Sequence, residues 1–112
     1  MVVAEHHLAL HVGSGDLPVL ATPMMMAMME NAAMMAVAPH LPEGATTVGG
    51  QISTSHLRPS GMGAVVTATA TLEKIEGKKL FFRVEAHQGE TLIGEGTHLR
   101  FIVDREKFMS KL

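Results

Sequence analysis

The chain has 112 residues, a formal net charge of −2, 18% charged residues and no cysteine. This length is typical of one domain, and we treat residues 1–112 as a single domain. The absence of cysteine excludes disulfides, thiolate catalysis and cysteine-based zinc sites. The charge provides no basic patch for nucleic acid, and the longest apolar run is shorter than the about 20 residues that a membrane helix needs.

The first predicted element is a strand over Val2–Val12, "VVAEHHLALHV", because β-branched and apolar residues alternate in part. Charged and imidazole side chains interrupt this apolar opening, so we expect no secretory signal and a cytoplasmic protein. His7 and His11 share a face of the predicted strand, but no third ligand with suitable spacing accompanies them. We therefore predict no metal. The Gly and Pro residues of "GSGDLP" end the strand.

The next element is a helix that begins at Thr22 and ends before Pro39, "TPMMMAMMENAAMMAVA". A threonine N-cap followed by proline at the first helical position is favourable, because that N–H has no partner inside the helix. Apolar residues occupy almost every face of this helix. We therefore expect the helix to be buried on all sides, with the methionines as flexible core filler.

Glu30 is the exception in this apolar helix, since its neighbours three, four and seven positions away are all apolar. Glu30 and Asn31 mark either a narrow solvent-facing line or a buried hydrogen-bonded pair, or else the carboxylate belongs to a functional site. A lone buried carboxylate shifts its pKa or finds a partner. Proteins tolerate such a group most often where it takes part in chemistry.

From Thr46 onward, four runs rich in Val, Ile, Thr and Phe follow: "TTVGGQISTSHLR", "AVVTATATLEKIE", "KKLFFRVEAHQ" and "ETLIGEGTHLRFIVD". The short turns between them predict antiparallel neighbours. An antiparallel sheet wrapped around one long central helix, with a second copy covering the rest of the helix, would bury all its faces. This α+β arrangement is the hotdog fold, which normally works as a dimer.

The phrases "LPVLATP", "MMENAAMMAVAPHLPEGATTVGGQIS", "SHLRPSGMGAVVTATAT", "EGKKLFFRVEAHQG" and "IGEGTHLRF" follow one another in an order and spacing that is specific. In these phrases the chain resembles the fluoroacetyl-CoA thioesterase-like branch of the hotdog thioesterases, from Leu17 to Phe108. The resemblance implies catalytic roles for Thr22, Glu30 and His56. It also implies that Gly49 and Arg100 bind substrate.

Each of these residues also has a purely structural explanation. Thr22 alone is explained as a helix cap, and His56 as a histidine in the core on the helix-facing side of its strand. Gly49 is explained as a bulge or a close backbone approach, and Arg100 as an exposed strand residue. Arg58 is a candidate contact for the anionic tail of coenzyme A, although "HLRP" is equally typical of a strand end.

Thioester hydrolysis needs a nucleophile, a proton acceptor and donors for the oxyanion. The resemblance implies an acyl-CoA thioesterase that needs no cofactor beyond the CoA of its substrate and forms a homodimer or a dimer of dimers. A small pocket lined by Met and Ala would suit short acyl groups. Either Thr22 or Glu30 is acylated, or His56 or Glu30 activates water directly. Thr22 and Glu30 lie about 12 Å apart along an ideal helix, so either the chain folds back or a second subunit contributes.

Two other functions are compatible with a buried carboxylate and a histidine on this fold. One is a hotdog enoyl-CoA hydratase or dehydratase, although the motif spacing differs from that of those enzymes. The other is a non-catalytic protein that binds acyl-CoA or a small acid. Water addition to a crotonyl thioester would favour the first, and tight binding without turnover the second.

Overall fold

The computed structural model describes all 112 residues, and it arranges four strands and three helices along the chain. The elements are α1 (Ala9–Val12), α2 (Thr22–Val37), β1 (Ala45–His56), β2 (Val66–Glu76), β3 (Lys79–Gln88), β4 (Thr91–Asp104) and α3 (Arg105–Ser110). Short 3-10 turns cover Glu5–His7 and Ala38–His40. The long helix and the four strands predicted from the sequence are confirmed. No helix is long and apolar enough to cross a membrane.

The strands form one antiparallel sheet in the order β1-β4-β3-β2, so β1 and β2 are its edges. The β2–β3 and β3–β4 turns contain Gly77 and Gly89, whose positive φ angles of 59° and 61° suit glycine. In β1 the register shifts between Gly49 and Gln51, which makes Gly50 the extra residue of a bulge. The bulge lies midway along the edge strand, beside the middle of α2.

The core lies between α2 and the sheet. Met25, Met29, Ala33 and Val37 repeat every four residues and are buried against apolar side chains of the strands. The methionines on this face therefore act as core filler, as predicted. A single chain does not bury the whole helix, because Met35 on the opposite side keeps 59% of its surface exposed.

The predicted strand over Val2–Val12 is wrong. Only the first three residues run beside the start of β2, with a hydrogen bond from the Val66 amide to Met1. The 3-10 turn and α1 follow, so the buried residues are Val3, Leu8 and Ala9, which lack the spacing of a strand. His7 and His11 consequently share no strand face. Nδ1 of His7 accepts from the Ala4 amide, and His11 pairs with Glu5.

Candidate active site

A hydrogen bond joins the start of α2 to the end of β1. Thr22 is the first residue of α2, and its Oγ1 lies 2.7 Å from Nδ1 of His56, the last residue of β1. Ala21 is the N-cap, so the predicted capping role of Thr22 is wrong. The reason is that its hydroxyl bonds the imidazole rather than a helix amide. Pro23 therefore occupies the second helical position, where the amide is also free of helical partners.

His56 is half-buried, and its environment favours the neutral imidazole. Burial lowers the pKa of His56 below 6.5, and the backbone of Arg58 opposes this shift in part. When Nε2 carries the proton, Nδ1 accepts from the Thr22 hydroxyl, as a general base for that hydroxyl must. Nε2 is buried and has no hydrogen-bond partner within the chain. The group that would orient this second nitrogen is thus missing from the single chain.

The Thr22–His56 pair lies in a cleft of about 400 Å³. The "GSGDLP" segment forms one wall through Ser14, Gly15, Asp16 and Leu17. Residues 57–59 follow β1 and form the opposite wall, with the exposed Arg58 among them. The hydroxyl and the imidazole are therefore accessible to a ligand that enters between these two segments.

Glu30 lies in a different place, beside Gly49 in the middle of β1. A Cβ atom on Gly49 would lie 3.0 Å from Oε2 of Glu30, 3.4 Å from Cε1 of His98 and 3.5 Å from Nη1 of Arg100. The missing side chain of Gly49 therefore leaves a small space where these three groups converge. Asn31 is exposed whereas Glu30 is half-buried, so these two residues do not form a buried pair.

Arg100 is 6% exposed, so its explanation as an exposed strand residue is wrong. Its Nε donates to Oγ1 of Thr47 at 2.9 Å and its Nη2 to the Thr47 carbonyl at 3.0 Å. Its Nη1 lies 3.2 Å from Nε2 of His98, whose Nδ1 donates to the Gln51 carbonyl at 2.7 Å. Burial lowers the pKa of Arg100, and the nearby carboxylate of Glu30 opposes this shift. No direct ion pair joins the two.

The five residues singled out in the sequence therefore form two groups in one chain. Thr22 contacts His56, whereas Glu30 lies with Gly49 and Arg100. The separation follows from helix geometry, because Thr22 and Glu30 are eight residues apart on α2 and do not fold back on each other. Both explanations of Gly49 hold, since it flanks the bulge and also approaches side chains closely.

Sequence reasoning missed the parts that Thr47 and His98 play in the second group. A signal for both was present. Thr47 is two residues before Gly49, and His98 is two residues before Arg100, so each pair shares a face of its strand. Polar residues at this spacing, next to a residue already assigned to a site, indicate a shared polar cluster.

This fold, with its long helix against an antiparallel sheet, is the hotdog fold of known thioesterases, and the enzyme class is thioester hydrolase. A solved structure of the fluoroacetyl-CoA thioesterase FlK matches with a TM-score of 0.91 and 38% identity, over 99% of this chain and 87% of FlK. A thioesterase superfamily member from Thermus thermophilus matches with a TM-score of 0.91 and 31% identity, over 99% of this chain and 82% of that one.

The sequence comparisons are more specific. The fluoroacetyl-CoA thioesterase of Streptantibioticus cattleyicolor is 42% identical over 94 residues, which are 84% of this chain and 68% of that enzyme. Residues 3–106 match the family described as FlK, fluoroacetyl-CoA-specific thioesterase. The chain belongs to this family, which confirms the resemblance found in its sequence.

Proposed function

We propose that this protein hydrolyses short-chain acyl-CoA thioesters to the free acid and CoA. In this proposal Thr22, Glu30 and His56 are catalytic, and Gly49 and Arg100 bind the acyl group. The observation that carries the proposal is the 2.7 Å contact between the Thr22 hydroxyl and Nδ1 of His56. A hydroxyl held on an imidazole that burial keeps neutral is the pairing that acyl transfer requires.

In the reaction, Nδ1 of His56 removes a proton from the Thr22 hydroxyl or from a water that this hydroxyl positions. The oxygen attacks the thioester carbonyl carbon, and the carbonyl oxygen becomes an oxyanion near the start of α2, where the Thr22 amide has no backbone acceptor. The C–S bond then breaks, and His56 returns its proton to the CoA thiolate. If Thr22 was acylated, a water activated in the same way releases the acid.

Glu30 and Arg100 supply the charged side of the site. The space beside Gly49 is small, because a single Cβ there would already lie 3.0–3.5 Å from three side chains. Such a space has no room for a long acyl chain. The FlK relatives are named for fluoroacetyl-CoA, which is a short acyl thioester. We therefore assign short acyl groups as the substrate class, with the CoA of the substrate as the only cofactor.

A homodimer would join the two groups. β1 is a 12-residue edge strand, and its outer edge is free to pair with a second copy. Antiparallel pairing about a twofold axis at Ser53 places His56 opposite the partner subunit's Gly49, because the bulge at Gly50 adds one residue to the strand. The partner subunit's Glu30 would then approach Nε2 of His56, which lacks a partner in the single chain. Two such dimers can associate further, and we expect the protein in the cytoplasm.

The test is release of free CoA, measured with a thiol reagent, from acetyl-, fluoroacetyl-, propionyl-, butyryl-, medium-chain and aryl-CoA. We expect turnover of short acyl groups that Glu30→Gln and His56→Ala both abolish. Glu85→Gln and His87→Ala serve as matched controls, because both residues lie in β3 on the sheet face away from α2. Binding without release from any thioester would contradict the proposal, as would hydration of crotonyl-CoA without free thiol.

A further inference from the structure

The guanidinium of Arg100 is held on three of its nitrogen atoms by two residues without an assigned role. Thr47 accepts from Nε through its hydroxyl and from Nη2 through its carbonyl, and His98 faces Nη1. Thr47 is 5% exposed and His98 is 3% exposed, so water does not compete effectively for these contacts. The planar guanidinium therefore has one orientation, with Nη1 turned toward the space beside Gly49.

The two neighbours of His98 determine its protonation. The Gln51 carbonyl only accepts, so Nδ1 of His98 must carry a proton. Arg100 only donates, so Nε2 of His98 must carry a lone pair. Both contacts thus require the neutral imidazole with its proton on Nδ1. A protonated His98 would point an N–H at the N–H of Arg100. The other groups around it are Glu30 on α2 and the Phe82 ring on β3, whose centroid lies 6.3 Å away.

We propose that His98 and Thr47 are positioning residues, which fix the Arg100 guanidinium against the Glu30 carboxylate and the acyl group beside Gly49. His98 does so as the neutral Nδ1–H imidazole. It donates to the Gln51 carbonyl of β1 and accepts from Arg100, so the β1 backbone fixes the orientation of Arg100 through His98. This role deepens the proposed function and rests on it. Neither residue touches the reacting atoms, so their removal displaces Arg100 rather than deleting a catalytic group.

The first test concerns the geometry and does not depend on turnover. Nitrogen-15 NMR of the histidine side chains at neutral pH should show one imidazole with its proton on Nδ1, and this signal should disappear in His98→Gln. Arg100→Leu should keep this tautomer, because the Gln51 contact remains, but should shift the Nε2 resonance, which loses its hydrogen-bond donor. A His98 signal from the Nε2–H tautomer or from the imidazolium would overturn the proposal.

The second test concerns kinetics with a short acyl-CoA. We expect His98→Leu to lower kcat about 100-fold with little change in KM, because displacing a positioned group by about 1 Å is enough for such a loss. His98→Gln keeps a donor and an acceptor and should recover about tenfold of this loss. Thr47→Val loses only the contact to Nε, so kcat should fall about tenfold, whereas Thr47→Ser should stay near the wild type.

The two tests separate the possible failures. If the wild-type protein releases no CoA, the proposed function fails, and the NMR signal still decides whether His98 and Thr47 fix Arg100. If the wild-type protein is active and His98→Leu keeps its kcat, the positioning role is wrong. Circular dichroism checks the fold of each variant. If His98→Leu does not fold, the pair Thr47→Val and Thr47→Ser decides the question, because Thr47→Val conserves the volume of the side chain and Thr47→Ser removes only one methyl group.

Discussion

Two polar groups contact α2, and they are built in opposite ways. The Thr22–His56 pair has a single hydrogen bond, opens on a cleft and leaves Nε2 of His56 without a partner. The group around Arg100 has four hydrogen bonds, three of them buried, and closes around a space beside Gly49. The first arrangement leaves the imidazole accessible for proton transfer. The second is a rigid support for charge, so each group supplies what the other lacks.

Removing the Glu30 carboxylate from the second group should reduce the activity most. Glu30→Gln keeps the shape of the side chain and removes the charge that faces Arg100. We expect kcat/KM for a short acyl-CoA to fall about 1,000-fold, within the range measured for general acid–base residues. CoA release is measured for Glu30→Gln and, as a control, for Glu85→Gln. Glu85 lies on the face of the sheet away from α2. Equal activity of the two variants would contradict a catalytic role for Glu30.

The pH dependence should identify the base of the first group. His56 accepts a proton only when it is neutral, so kcat/KM should rise with pH as His56 deprotonates. Because burial lowers the pKa of His56, the midpoint should lie below 6.5. His56→Ala should lower kcat/KM about 100- to 1,000-fold and remove this rise from the residual activity. An unchanged pH profile in His56→Ala would assign the base to another residue.

Two matched substitutions test the Thr22 hydroxyl of the first group. Thr22→Val is nearly isosteric and removes the bond to His56, whereas Thr22→Ser keeps the hydroxyl. We expect about a 100-fold fall in kcat for the valine variant and a much smaller fall for the serine variant. Steady-state kinetics give kcat, and single-turnover kinetics give the rate constant of the chemical step. Comparable rates for the two variants would show that the hydroxyl takes no part in it.

The smallest effect should come from filling the space beside Gly49. Its φ angle is not positive, so alanine fits the backbone. The new Cβ would lie 3.0 Å from Oε2 of Glu30, and this side chain would have to shift by a few tenths of an ångström. We expect about a tenfold loss of kcat/KM, greater for propionyl-CoA than for acetyl-CoA, because the larger acyl group needs more of the space. Equal losses for both thioesters would contradict the assignment of the acyl group to this space.

Much of the fold was predictable from local patterns. The apolar run from Thr22 and the alternating strands after Thr46 carry their periodicity in neighbouring residues, and Gly-containing turns separate the strands. The segment before Ser14 was not predictable in this way. Its structure depends on bridges from Val2 to Val65 and from Leu8 to Leu20, and periodicity within the segment does not report such contacts.

The candidate site was predictable only in part, for the same reason. Thr22 and His56 are 34 residues apart, so local patterns did not connect them, and only the resemblance to a family singled them out. Helix geometry, in contrast, already predicted that Thr22 and Glu30 of one chain lie far apart. The contacts of Arg100 with Thr47 and of His98 with Gln51 depend on the register between β1 and β4. The bulge at Gly50 shifts that register by one residue, which alternation alone does not show.

The central claim is that each active site combines Thr22 and His56 of one subunit with Glu30 of the other. The most direct test mixes the inactive variants His56→Ala and Glu30→Gln under conditions that let subunits exchange. In every mixed dimer one site would carry both substitutions and the other none, so about a quarter of the wild-type activity should return in an equal mixture. If each site belonged to one chain, every site would keep one substitution, and no activity would return.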